Sequence, residues 1–532
     1  MSTISFKLPD IPDGGMKSFQ HNDQIVLVTR DGSEVNAMQG KCPHAGADLG
    51  KGLRCDNRII CPWHHATFDA QSGKLLEPLA VSGLERYQIT GDGEHKTIHV
   101  DQVIEEPTAP KQQQDTHTLI IGGGASGFMT ATHLRSNGYD GKITMISADD
   151  HAPYNRPLLS KGFLAGQMDV DKLNLGGNDW ANKNSVALKL NTQAKSIHPD
   201  KRQVILSNGE QLEADYLVIA TGATPIRPPI DGVNLENVFV MRSLDDTQAI
   251  GEAVDGQHVV VIGTGFIGME AAASLSQRGT TASITVIGMS DSVMDTIVSP
   301  KVGAGIQQLH EANGVTFKLA TSVKELTHEG NQVNGVMLSS GETIAADVVI
   351  LGTGVKPCIE EIETSKKDPK DGVNVSAKLL LEQQAFALGD IANADTILGK
   401  LRIEHWRVAL LHGMITAETI LKQGNDAIEV RPFDERLPFF WTQQFGKSLR
   451  YIGHADTTEH AILCGNPNEL DYVEFYFNED SDAAKVVAAS GLAHDQDIIA
   501  IGELIRLDNS PTRAQIKAGL DVVGHLQNLT QS

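Results

Sequence analysis

Residues 118–134 read TLIIGGGASGFMTATHL. An apolar run (Leu119, Ile120, Ile121) halts at Gly122. Gly124 and Gly127 then complete a G-x-G-x-x-G pattern, and a helical spacing begins at Phe128, Ala131 and Leu134. Such a stretch fixes a strand, a tight turn and a helix start. The first glycine permits the turn, the second lets backbone approach a pyrophosphate, and the third lets helix and strand pack closely. A lone fingerprint is weak evidence, because glycine-rich turns also arise for steric reasons. Here the strand-before, helix-after context is present. The pattern returns in residues 258–268, HVVVIGTGFIG, with Gly263, Gly265 and Gly268, and Glu270 follows closely. Two nucleotides in one chain are the direct implication, with Ala125, Ser126, Phe266 and Ile267 at the open positions of the turns and helix starts.

The 532 residues leave room for roughly three to five domains. A hydrophobic content of 40% supplies real cores. No apolar run approaches the ~18 residues of a membrane span. The start, MSTISFKLPD, lacks a basic segment followed by an apolar core. With 44 basic against 67 acidic residues the net charge is −23, which disfavours a nucleic-acid partner. The five cysteines (Cys42, Cys55, Cys61, Cys358, Cys464) are an odd, scattered set. They read as a reduced, cytoplasmic setting in which some thiols serve a metal.

In the first hundred residues, short alternating segments (24–29, 59–61, 98–103) and Asp-Gly turns at 31–32 and 92–93 predict a small all-β unit. Two loops in it carry chemistry, Cys42-Pro43-His44 and Cys61-Pro62-Trp63-His64, separated by sixteen residues. Two thiolates and two imidazoles suit either zinc or a [2Fe–2S] cluster with a Cys pair on one iron and a His pair on the other. C-x-H is too tight for the usual zinc knuckle, Pro follows both cysteines, and Phe68-Asp69, Ser72-Gly73-Lys74 and Pro78 follow the second loop. In these features the segment resembles a Rieske ferredoxin. Where bc-complex proteins carry an extra cysteine in each loop, this chain has Ala47 and Trp63. The resemblance is therefore to the ferredoxin-type branch, at the lower end of the range of about −150 to +300 mV. His65 is expected to pack over the cluster and Cys55 to be a spectator.

Residues 105–115, EEPTAPKQQQD, are polar and aperiodic and read as a linker. Flexible residues of that number span about 18 Å r.m.s.. Beyond them, a second strand at 143–147 precedes Asp149, an acid placed for a ribose. The run 151–161, HAPYNRPLLSK, resembles a signature of FAD-dependent, oxygenase-coupled ferredoxin reductases and apoptosis-inducing-factor-like proteins. That resemblance implies FAD contacts from Arg156 and Lys161, Lys161 lying near the flavin. It implies further contacts from Ala194, from Ala220-Thr221-Gly222 after a buried strand, and from Arg242. At the second nucleotide site, Phe266 covers the nicotinamide in such proteins, and Gly354 lies in a crossover back to the FAD unit. A strand expected at 284–287 is followed by Gly288, where NADH-preferring relatives usually carry an acid. No Arg or Lys stands there for a 2′-phosphate, so NADH is expected over NADPH. In AFALGDI (385–391), Gly389 and Asp390 meet a helix start and take a ribityl hydroxyl and pyrophosphate. Glu404-His405-Trp406 resembles the motif beside the flavin and nicotinamide, and 438–442, PFFWT, resembles one that lays Trp441 against the flavin.

From about residue 436, short strands (472–477, 485–489) and one final helix are expected, with Cys358 and Cys464 as buried thiols. No Cys lies between Cys61 and Cys358, so the redox disulfide of glutathione-reductase-like enzymes is missing. The iron motif D-x-x-H-x-x-x-x-H of Rieske oxygenases is missing too.

The expected plan is multidomain. A small all-β Rieske domain (1–104) and linker (105–115) precede two Rossmann-like α/β units in a glutathione-reductase-like arrangement. These are an FAD unit (116–240 and 355–435) enclosing an NAD unit (241–354), and an α+β interface or dimerisation-like domain closes the chain (436–532). The expected activity is an NADH-dependent reductase that splits a hydride through FAD into single electrons. They pass to its own [2Fe–2S] cluster and on to an external one-electron acceptor such as an oxygenase. Two other readings stay open: direct reduction of a small acceptor such as a quinone at the flavin, and an NADH-responsive redox sensor. Monomer and homodimer are both compatible with the sequence.

Overall fold

The computed structural model describes residues 3–105, 115–177, 179–423 and 425–530. Residues 106–114 of the expected linker lie outside them.

The N-terminal unit is all β. Six antiparallel strands run in the spatial order Thr3–Lys7, His95–Ile104, Arg86–Thr90, Glu34–Gln39, Gln24–Asp31, Met16–His21. Gly32 turns one hairpin with φ +61°, a left-handed value that glycine adopts without a Cβ penalty. A four-stranded antiparallel sheet (Leu53–Cys55, Arg58–Ile60, Thr67–Asp69, Leu75–Glu77) carries the second Cys/His loop between its second and third strands.

Next come two parallel sheets. The first orders Val186–Lys189, Lys142–Ile146, His117–Ile121, Tyr216–Ile219 and Ala385–Ala387 side by side, with Leu380–Glu382 antiparallel at the edge. The second orders Val238–Val240, Val348–Leu351, His258–Ile262, Ser283–Ile287 and Val315–Lys318. Chain 238–351 thus sits between strands of the first sheet. Tyr216–Ile219 and Val348–Leu351 are buried at every residue, as strands covered on both faces must be, which is why they read as unbroken apolar runs. Helix Trp406–Lys422 packs on helix Ala125–Ser136 so closely that a Cβ on Gly413 would meet Ser126 O at 2.5 Å.

The last hundred residues form a five-stranded antiparallel sheet, Phe439–Gln444, Lys447–Gly453, Ala488–Leu492, Asp471–Tyr476, Ile462–Asn466. Three expectations are corrected here. The strand expected at 485–489 is Ala488–Leu492; Lys485 instead bridges Thr512 outside the sheet. That strand is buried on both faces and shows no alternation to set its bounds. The single final helix is three, Asp495–Arg506, Arg513–Lys517 and Val522–Thr530. Pro511 precedes the second helix and Gly519, at φ +79°, separates it from the third. Cys464 is exposed and Cys358 half-buried, so neither is the buried thiol expected.

The β unit is packed onto the rest of the chain. Leu53, Cys55 and Ile60 share one apolar core with Leu437, Phe439, Ile452 and Ile499. Among the described residues, no helix is long and apolar enough to cross a membrane.

Candidate redox centre

The two Cys/His loops are built alike. In the first, Cys42 N donates to Ala47 O and Gly46 N to Cys42 O; in the second, Cys61 N donates to Ala66 O and His65 N to Cys61 O. The fourth residue after each cysteine is left-handed, Gly46 at φ +80° and His65 at φ +55°. These matched turns bring the Cys42 and Cys61 thiols within hydrogen-bonding reach of each other. They also set the His44 and His64 rings edge to face, centroids 4.9 Å apart. Burial holds both imidazoles neutral, His44 pushed down to about 4 and His64 to about 2. A neutral imidazole has the free lone pair that a metal needs. His64 Nδ1 is buried without a protein partner. Paired thiols beside paired neutral imidazoles fit a Cys₂His₂ [2Fe–2S] cluster.

A cavity of about 790 Å³ runs between the two parallel sheets and the C-terminal sheet, a size suited to an organic cofactor. Both glycine turns border it. A Cβ at Gly124 or Gly265 would meet nothing within 4 Å. One at Gly122 would strike Ala220 O at 2.0 Å, and one at Gly263 would strike Gly352 O at 2.2 Å. One at Gly127 or Gly268 would strike the carbonyl of the first glycine of its own turn at 2.1 Å. The middle glycines therefore leave room for a ligand and the outer ones serve packing. The helices that follow, Ala125–Ser136 and Phe266–Arg278, have no side-chain cap on their first N–H groups, which leaves them for phosphate.

Opposite the first turn, two guanidinium groups converge. Arg242 pairs with Asp390 at 2.7 Å, and Arg156 lies 3.8 Å from Asp149. Burial, and then the charge of Arg242, pull Arg156 below its usual value. Two half-buried cations facing one opening fit a pyrophosphate. Asp149 is itself held by Tyr154 Oη, which donates at 2.8 Å.

Deeper in, Lys161 pairs with Glu270 at 2.8 Å. Glu270 also accepts from Ser160 Oγ, and from Thr442 Oγ1 at 2.7 Å. His405 is half-buried and pushed down to about 4 by desolvation, and its ring lies 4.4 Å from that of Phe440. Phe266 meets the same Phe440 edge to face at 4.6 Å. Glu404 pairs with Arg402, while burial raises its carboxyl. Trp441 lines the cavity on one side and on the other approaches His64, ring centroids 4.5 Å apart.

A family model described as Pyridine nucleotide-disulphide oxidoreductase matches residues 116–413, more than half of the chain. The chain belongs to that family. A second, described as Rieske [2Fe–2S] domain, matches residues 4–88. This oxidoreductase therefore carries FAD and NADH sites and a [2Fe–2S] module. It is 28% identical to apoptosis-inducing factor 3 of Mus musculus over 93% of this chain and 82% of that one. It is 30% identical to the anthranilate 1,2-dioxygenase system ferredoxin–NAD(+) reductase component of Burkholderia cepacia, over 75% and 96%. The crystal structure of the ferredoxin reductase for the CYP199A2 system from Rhodopseudomonas palustris superposes with TM-score 0.68 at 28% identity, covering 76% of this chain and 97% of that one.

In this oxidoreductase every nucleotide-site residue expected from the sequence lines the cavity except Gly127, Gly263 and Gly268, which sit behind it. Trp406, which stood in the expected motif, is a wall of the cavity, whereas sequence reasoning missed Phe440 and Thr442. It also missed the residues that bind the two halves together. Arg407 donates to Glu77 at 2.6 Å and is buried. Arg407 stands directly before Val408, Ala409, Leu410 and Leu411; a charge entering so apolar a helix was the available signal. His65, expected over the cluster, stacks on Phe439 at 3.9 Å.

Proposed function

We propose that this chain is a self-contained electron-transfer reductase. It takes electrons in pairs from NADH and delivers them singly, through its own Rieske module, to an external redox protein. The plan is a Rieske module (1–104), a linker (105–115), an FAD unit (116–240 and 355–435) around an NAD unit (241–354), and a closing α+β unit (436–532). The flavin, when bound, supplies the conversion of a two-electron donor into one-electron steps.

The chain's own side chains set the conditions for that conversion. The open turn at Gly124, with Arg156 and Arg242, holds the FAD pyrophosphate. The turn at Gly265 holds that of NADH, and Phe266 stands where the nicotinamide enters. Lys161, neutralised by Glu270, presents a fixed cation to the ring, and His405 contributes a neutral imidazole. Trp441 and Phe440 close the wall and exclude water. The reduction potential of the bound flavin is set against these groups.

The observation that carries the reading is Trp441, one ring that lines the flavin cavity and lies 4.5 Å from the ring of His64. It supports an intramolecular route for the inbound electron. Relatives named as reductase components of oxygenase systems favour an oxygenase or its ferredoxin as acceptor. The test is anaerobic stopped-flow mixing with NADH. Wild type loses the flavin band and then shows cluster reduction, and Trp441→Ala slows the second phase by a larger factor than the first. Cluster reduction unaltered by Trp441→Ala, or absent in wild type, contradicts the proposal.

A further inference from the structure

The second cluster loop is gripped by the reductase on both sides of its histidine ligand. Arg450 Nε donates to Trp63 O at 3.0 Å, and Arg407 Nη2 donates to His65 O at 3.1 Å. The two guanidinium groups are buried and come from different elements, strand Lys447–Gly453 and helix Trp406–Lys422. Neither lines the flavin cavity, and neither is a ligand of the cluster.

Each is anchored at its other end. Arg407 pairs with Glu77 at 2.6 Å and donates to Pro78 O at 3.1 Å. Arg450 pairs with Asp495 at 2.7 Å and donates to Ser448 O at 3.1 Å. Glu77 is shared with Arg58 at 2.9 Å, and Arg58 also meets Glu503 at 3.3 Å. Taking such charges out of water is costly unless each is paired with good geometry. Fork-shaped donors on fixed acceptors define orientation as well as energy. A module that merely visited the reductase on a tether would need none of this. Arg407 is also the next residue after His405 and Trp406, which line the cavity. The wall of the flavin site and the loop that bears His64 are therefore set by one short stretch of chain.

We propose that Arg407 and Arg450 are positioning residues, a two-point clamp on the Trp63 and His65 carbonyls that fixes His64 against Trp441. The cluster module is thereby a fixed part of the reductase during inbound transfer. This inference rests on the intramolecular route proposed above.

The test uses the full-length, cofactor-loaded chain and the variants Arg450→Met and Arg407→Met. Arg450→Met leaves Asp495 at a helix start, where a carboxylate is tolerated. Arg407→Met leaves Glu77 paired with Arg58. Three quantities are read: NADH-driven flavin reduction, the following flavin-to-cluster step at several solvent viscosities, and amide hydrogen exchange of residues 61–66. The clamp predicts flavin reduction unchanged, cluster reduction slowed by about tenfold or more, viscosity dependence that wild type lacks, and faster exchange at His65 and Cys61. Normal, viscosity-independent transfer in both variants overturns the clamp while leaving the route intact. A wild-type chain whose cluster NADH never reduces overturns the route itself.

Discussion

Lys161 Nζ lies 2.8 Å from Glu270 Oε2, and these two residues belong to different nucleotide units. The signature that carries Lys161 lies in sequence between two strands of the first parallel sheet, Lys142–Ile146 and Val186–Lys189, whereas Glu270 rides the helix after the second glycine turn. Their ion pair, with Thr442 on the other carboxylate oxygen, joins three segments at the lining of the cavity. It also leaves the lysine charge compensated before any cofactor arrives.

Glu270→Gln removes the charge and keeps an acceptor oxygen for only one of Ser160 and Thr442, because the amide nitrogen cannot accept. Breaking a buried pair from one side costs roughly 3–5 kcal/mol. The expected outcome is a lower thermal midpoint together with slower flavin reduction by NADH, measured by calorimetry and stopped flow. An unchanged midpoint would show that the pair is not intact in solution.

The glycines separate into two classes. Gly124→Ala and Gly265→Ala add a methyl to open space and should fold, losing flavin and NADH affinity respectively. Gly127→Ala and Gly268→Ala drive a methyl to 2.1 Å from a carbonyl oxygen and should lose stability before any effect on binding is seen. Flavin content at 450 nm, nucleotide titration and melting curves for the four variants check this.

Nucleotide discrimination should be shallow. A Cβ at Gly288 would meet Thr264 Cγ2 at 2.6 Å, so the position that commonly carries a ribose-binding acid has no room for one. Gly288→Glu alone should fold poorly. Thr264→Gly with Gly288→Glu should accommodate the acid and raise the kcat/KM ratio of NADH to NADPH by about tenfold, ~1.4 kcal/mol. An unaltered ratio in a folded double variant argues against this account of the site.

Stability should fall on acidification in two stages. Burial depresses His310 and His405 to about 4 and His412 to about 3. Unfolded chains take up those protons near pH 6.5, whereas the fold does not until lower pH, so stability present above about 6.5 declines below it. Burial would raise the Glu77 carboxyl, but Arg58, Arg407 and Arg436 together hold it well below the usual range. Its contribution is present above about pH 4.3 and is lost as pH falls further. Melting temperature against pH should therefore slope from about 6.5 and steepen below about 4.5. A flat profile between pH 6.5 and 4.5 contradicts the buried neutral histidines.

The two glycine turns and the two Cys/His loops were legible because each is local. Gly122 through Gly127 encode their turn within six residues, and Cys42 with His44 and Cys61 with His64 are paired by spacing. The wall formed by Phe440 and Trp441, with Thr442 bonded to Glu270, was half legible: the run PFFWT marked Trp441, but alternation along a strand sends Phe440 and Thr442 to contacts that only the packing of three sheets defines. The clamp was legible only as the charge of Arg407 entering an apolar helix, and not in its partners. Arg407 and Arg450 meet Glu77, Trp63 and His65 across more than three hundred residues of sequence, and a charged residue carries no sign of a distant partner. The strand at 488–492 was misplaced for a related reason, since burial on both faces erases the period that marks a strand's ends.

The central claim is that electrons reach the cluster from the flavin of the same chain. The most direct measurement is the rate of cluster reduction after anaerobic mixing with NADH, followed by electron paramagnetic resonance or visible circular dichroism over a wide range of protein concentration. The account predicts a first-order rate independent of protein concentration and of added salt. A rate that rises in proportion to protein concentration, or a cluster that stays oxidised while the flavin is reduced, would contradict it.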